Sequence, residues 1–161
     1  MVTKEHIFQI LNKIEKKSKN TSLVGLIMLI LCAISIFVGV LFHNNTGNIM
    51  ILFSILISII ALALYFGYKS VIKKLTVIKS VLNTNPNALQ WVYPKYITRN
   101  GVTTEYVVLN FTNKIILEIE KRNLKPYSVT DFMKALVLYF NASCHVGFSA
   151  ELAEKYKQNK L

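Results

Sequence analysis

The chain has 161 residues, is 53% hydrophobic with a mean hydropathy of +0.41, and holds nineteen Lys and Arg against eight Asp and Glu, a net charge of +11. That apolarity is gathered in one block instead of being spread over a globular core, which excludes a single soluble domain as the whole protein. Its two cysteines fall in different environments, Cys32 inside the apolar block and Cys144 far beyond it, which excludes a disulfide between them.

In chain order, the first element is "TKEHIFQILNKIEKKSK", residues 3–19, which sets Ile7, Ile10, Leu11 and Ile14 on one helical face with lysines around it. Residues 1–20 therefore read as an amphipathic basic helix. Two settings produce this pattern equally: an interfacial helix lying on the inner leaflet, or a packing helix within an oligomer.

Two apolar stretches follow, 23–42 and 49–68, each twenty residues long and so near the length that crosses roughly 30 Å of hydrocarbon as a helix. Fourteen residues of the first and twelve of the second are Leu, Ile, Val or Phe. Each stretch then gains roughly 4 to 8 kcal/mol on insertion, with no charge opposing it. Two buried core helices are the alternative. The first stretch exceeds the h-region of a signal peptide, and no small-x-small cleavage site follows it. The connecting "HNNTGN", residues 43–48, carries no Lys or Arg, whereas Lys4, Lys13, Lys16, Lys17 and Lys19 precede the pair and Lys69, Lys73, Lys74 and Lys79 follow it. That asymmetry predicts a multi-pass protein of the inner (cytoplasmic) membrane with both termini cytoplasmic. Residues 1–79 hold nine Lys and two Glu, a charge that anionic lipids attract. Asn44-Asn45-Thr46 spells a glycosylation sequon but lies against the membrane.

The second helix is expected to continue through "KSVIKKLTVIKSVLN", where Val71, Leu75, Ile78 and Leu82 repeat at 4-3-4 spacing, a heptad seam two heptads long. Residues 21–82 thus form a transmembrane hairpin with a helical stalk, ended by "NTNPN". Residues 83–161 form a small cytoplasmic ligand-binding domain. "LQWVYPKYIT", an Arg99-Asn100-Gly101 turn, "VTTEYVVLNFT", a Thr112-Asn113 turn and "KIILEIE" predict a three-stranded antiparallel meander. Pro94 marks its first strand as an edge. Ser128-Val129-Thr130-Asp131 is a capping box that opens a helix through about Asn141, with Val129, Phe132, Met133, Leu136 and Phe140 as its buried stripe. Leu138 and Tyr139 predict a second covering surface. A last polar helix is expected from Ser149 to about Asn159. The fold class is α+β: a two-helix hairpin with stalk, then three strands and two helices, a core small enough for oligomerisation to complete it.

Candidate chemistry follows from what the domain holds. One Asp and five Glu, with a single adjacent Cys144-His145 pair, provide no separated nucleophile and base, so the protein is read as not an enzyme. No CxxC, HxxxH or carboxylate cluster offers a metal site, no phosphate-cradling glycine loop is present, and no cofactor is implied. Cys32, Ser35, Ser54 and Ser58 are the polar side chains within the two stretches, so an ion path is not indicated. Ser35-x-x-x-Gly39 and Ser54-x-x-x-Ser58 favour helix association instead.

A binding surface remains. Strand alternation sets Trp91, Tyr93, Lys95, Ile97 and Arg99 on one face of the first strand, and Thr104, Tyr106, Val108 and Asn110 on one face of the second. Lys121-Arg122 closes the third strand. Rings interleaved with cations suit a nucleotide, since rings stack on bases and cations meet phosphates. The same strand equally describes a half-buried edge with snorkelling cations. The candidate nucleotide-binding residues are Trp91, Tyr93, Lys95, Arg99, Asn100, Tyr106, Lys121, Arg122 and His145. His145 is a lone loop histidine able to donate to a phosphate or base.

In architecture and length the chain resembles the two-transmembrane effectors of nucleotide-signalled antiphage defence, and most of all the small membrane effectors of type III CRISPR systems, which bind cyclic tetra-adenylate. The resemblance rests on the lysine-flanked hairpin, the uninterrupted stalk and the small domain without catalytic residues; the site residues rest on their chemistry alone. It implies a cyclic oligoadenylate ligand, a homo-oligomer with a tetramer favoured, membrane disruption through the hairpins, and no direct DNA binding. The alternative is a non-enzymatic membrane-anchored protein-interaction module or an immunity protein that binds a toxin. A pleckstrin-homology-like lipid-binding domain would need about seven strands.

Overall fold

The computed structural model describes residues 2–42, 45–140 and 143–144, with the backbone alone for the last two. Two compact units result: residues 15–73, and a second unit that joins the chain's N-terminal fourteen residues to everything from Lys74 onward.

The first unit is the middle of a helical hairpin. α1 (Lys4–Phe42) and α2 (Asn45–Thr84) are each long and apolar enough to cross a membrane. α2 already begins at Asn45, so four residues of "HNNTGN" are helical and the polar link is shorter than its sequence suggests. Small residues hold the two helices together. Ser54 and Ser35 share a hydroxyl hydrogen bond of 2.9 Å, and Ser22 Oγ donates to the Tyr65 carbonyl at 3.4 Å. A Cβ on Gly25 would stand 2.9 Å from the Tyr65 nitrogen, and one on Gly39 would stand 2.8 Å from the Ile51 side chain and 2.9 Å from the Gly47 carbonyl. Backbones approach this closely only where no side chain intervenes. Ser35 and Gly39, singled out by their spacing, thus associate within one chain. The large side chains point away from the seam: Leu23, Ile27, Ile30, Leu31, Ile34, Leu52, Phe53, Leu56 and Ile59 are all exposed.

The second unit is built on a sheet of order β3-β2-β1-β4. β1 (Leu89–Arg99), β2 (Val102–Phe111) and β3 (Ile116–Glu120) form the expected antiparallel meander, and a two-residue strand β4 (Ser143–Cys144) pairs parallel to β1 at Trp91 and Val92. Asn100 (φ 51°) and Gly101 (φ 75°) both take the left-handed conformation that a tight two-residue hairpin requires. The connection after β2 runs two residues further than its sequence indicates. Lys114 adopts φ 61°, so β3 starts at Ile116.

α3 (Lys121–Leu124) follows β3 directly, and α4 (Val129–Phe140) follows the capping box. Ser128 Oγ accepts from the Asp131 backbone at 3.0 Å and donates to its carboxylate at 2.6 Å. The five stripe residues of α4 are all buried, and the helix packs on β1 and β2. Val92, Val107, Leu109, Leu117 and Ile119 are buried with them. Leu138, by contrast, is 61% exposed and Tyr139 half-buried, so the described residues supply no full second cover there. The last polar helix, Ser149 to Asn159, lies outside the described residues.

The amphipathic N-terminal segment packs within its own chain. It is the first part of α1, started by Thr3, whose Oγ1 accepts from the His6 backbone at 3.3 Å. Ile7, Ile10 and Leu11 are buried within their own chain, as are Leu75, Ile78 and Leu82 of the heptad seam. Lys79 Nζ donates to Asn12 Oδ1 at 3.0 Å across these two helical ends. Against α4, the Phe8 and Phe140 rings meet edge to face at 6.4 Å, and Lys4 stands over Phe140 at 5.7 Å. His6 lies 5.1 Å from the Tyr127 ring. Burial of this helical pair is therefore part of the domain's core.

Candidate functional site

The register of the sheet decides which candidates share a surface. Tyr93 lies across from Val108, Lys95 from Tyr106, and Trp91 from Asn110; Val108 and Asn110 continue to Glu118 and Ile116 of β3. Trp91, Tyr93, Lys95, Tyr106 and Asn110 therefore stand on one face, as alternation requires. Tyr93 and Val108 form a small buried cluster there, with Trp91, Lys95 and Tyr106 half-buried around it.

Arg99 and Asn100 share the strand but not the place. At about 3.3 Å per residue, Arg99 lies roughly 26 Å from Trp91 along β1. Both belong to the tip of the β1–β2 hairpin, where β3 and β4 no longer flank the strands. Asn100 is accounted for by its turn conformation.

Ion pairs occupy three of the four candidate cations. Lys95 Nζ meets Glu118 Oε1 at 2.7 Å, Lys121 Nζ meets Glu105 Oε2 at 2.8 Å, and Arg122 Nε meets Glu120 Oε2 at 2.7 Å. Arg99 makes no ion pair among the described residues. Lys121 also stands on the wrong side of the sheet: its partner Glu105 faces oppositely to Tyr106, and the Tyr96 hydroxyl donates to the same carboxylate at 3.3 Å. Lys121 and Arg122 belong to α3 and part company there: Lys121 turns to Glu105, whereas Arg122 meets Glu120, which stands across from Tyr106 on the aromatic face. His145 lies outside the described residues.

These contacts move the proton affinities of three groups. The hydrogen bond to Glu118 holds Lys95 above the ordinary lysine value, and Glu105 does the same for Lys121. Tyr96 is raised by partial desolvation and then by the charge of Glu105. Each shift favours the protonated form in the fold.

Asn110 was not among the nine candidates. It is only 6% exposed, and its Oδ1 has no hydrogen-bond partner. Such an orphaned acceptor costs about 1–3 kcal/mol. Its position on the aromatic face was legible from alternation, but its burial and its lack of a partner were not.

Among the described residues, no group of three or more His, Cys, Asp or Glu is arranged to hold a metal ion. Comparison of the chain with protein-family models, with characterised proteins and with solved structures gave no match.

Proposed function

We propose that the protein is a non-enzymatic membrane effector of the inner membrane, both termini cytoplasmic, whose sheet binds a cyclic oligonucleotide and whose hairpins then disrupt the bilayer. The observation that carries this reading is the aromatic face of the sheet, on which Trp91, Tyr93, Tyr106 and Asn110 stand together with Lys95. Rings and an amide in one patch stack on and read a base, whereas phosphates need cations. Lys95 is held by Glu118, and Arg99, the candidate without an ion pair, lies about 13 Å beyond it along β1. A ring of several nucleotides bridging two or more copies meets both demands, which fits a homo-oligomer. Cyclic tetra-adenylate is the favoured ligand, by resemblance to the effectors named above.

The hairpin's seam is filled by Ser, Gly and Ala, with no Asp, Glu, Lys, Arg or His in either apolar stretch. Permeation would therefore run between hairpins or through disturbed lipid, not along the seam. The test is a dye-filled vesicle carrying the full chain. Cyclic tetra-adenylate should release the dye, while linear tetra-adenylate and cyclic hexa-adenylate should not. Retention of the dye at saturating ligand would refute the effector role.

A second reading is a membrane-anchored module that docks a protein partner. It is favoured by the neutralised cations and by exposed Tyr96, Val102, Ile116 and Leu138 on the same domain. It predicts that replacing Arg99 and Lys95 by neutral residues leaves function intact.

A further inference from the structure

We infer that Asn110 is the base-reading residue of the ligand site, its buried, unpartnered Oδ1 accepting the exocyclic amine of an adenine-type base. The inference rests on the nucleotide reading above and narrows it to a base class. Asn110 lies between Trp91 of β1 and Ile116 of β3, directly across the sheet from both, and next to the Tyr93–Val108 cluster. It is 6% exposed, and its Oδ1 meets no donor. A strand whose neighbouring positions are Val108 and Leu109 has no structural use for an amide there, because a buried polar group is normally paired. A carboxamide offers an acceptor and a donor side by side. That pair matches an exocyclic amine next to a ring nitrogen, the edge that adenine presents. A base whose amine is replaced by a carbonyl would set oxygen against oxygen and be rejected. The aromatic neighbours supply the stacking surface that such an edge contact needs.

The experiment uses the full chain in nanodiscs, with cyclic tetra-adenylate and its inosine counterpart as probes. Wild type should prefer the adenine ring by roughly five- to a hundred-fold, the range of a good bidentate amide–base pair. Asn110→Leu and Asn110→Val should melt at an equal or higher temperature, since each removes an orphaned polar group, yet lose the preference and most of the affinity. Unchanged affinity and preference in either variant would overturn the inference and leave the nucleotide reading standing. A lowered melting temperature in both variants would also overturn it, by showing that the amide is structurally satisfied. Wild type binding neither probe would overturn the inference and the nucleotide reading together.

Discussion

Glu118 of β3 holds Lys95 across the intervening β2, Glu105 of β2 holds Lys121, and these contacts set the domain's response to alkali. Lys95, Lys121 and Tyr96 all have folded-state pKa values above their ordinary ones. A group raised in the fold contributes stability that is complete below its unfolded pKa and lost as pH rises through the folded value. All three therefore act in one direction. We expect stability to be flat from neutral pH to roughly pH 10 and to fall above it, where lysine and tyrosine deprotonate. Thermal melting of Glu105→Gln beside wild type checks this: the variant should lose part of the alkaline slope. At neutral pH it should melt close to wild type, because a pair with an exposed lysine contributes little. None of these pairs was legible in the sequence. Lys95 and Glu118 are 23 residues apart, and only the register of three strands brings them together.

Among the elements, legibility followed locality. The hairpin turn was readable because Asn100 and Gly101 are the residues that tolerate positive φ, and α4 because Ser128 and Asp131 cap it within one turn. The N-terminal segment was not, since an amphipathic face shows that something covers it and never what. In the fold its cover is the C-terminal end of α2 together with α4, so Leu11→Ala should destabilise the domain by about 2–5 kcal/mol, as for other fully buried leucines. Chemical denaturation followed at Trp91 would measure it. A helix merely lying on lipid would show almost no loss. For the same reason a fragment starting at residue 84 would lack Ile7, Leu11, Leu75, Ile78 and Leu82 from its core, so ligand titrations call for the full chain. The glycine seam makes its own prediction. Cysteines at Ser35 and Ser54, whose hydroxyls lie 2.9 Å apart, should cross-link readily. Adding Gly39→Leu should abolish the cross-link, because the space beside Ile51 and the Gly47 carbonyl is already filled.

For the molecule as a whole, two helices long and apolar enough to cross a membrane were visible early, because two uncharged twenty-residue stretches stand out from the rest of the chain. Less visible was how the nine candidates would scatter. Trp91, Tyr93, Lys95 and Tyr106 come together on one face, while Arg99 and Asn100 are at a distant tip, and Lys121 and Arg122 are in a separate helix bound to Glu. Alternation within one strand assigns faces well. The end of β3 at Glu120 was legible too, but not the short helix that takes up Lys121 and Arg122 directly after it. Under the proposed function, one ligand would join the aromatic patch of one copy to Arg99 of another. The most direct test is a titration of the full chain in nanodiscs with cyclic tetra-adenylate, alongside Arg99→Ala and an equal mixture of Arg99→Ala with Tyr106→Ala chains. The account predicts ring-size-selective binding by wild type, loss in each variant alone, and partial recovery in the mixture, where intact faces meet intact tips. Absence of binding by correctly folded wild type, or an Arg99→Ala variant that binds as well as wild type, would contradict it.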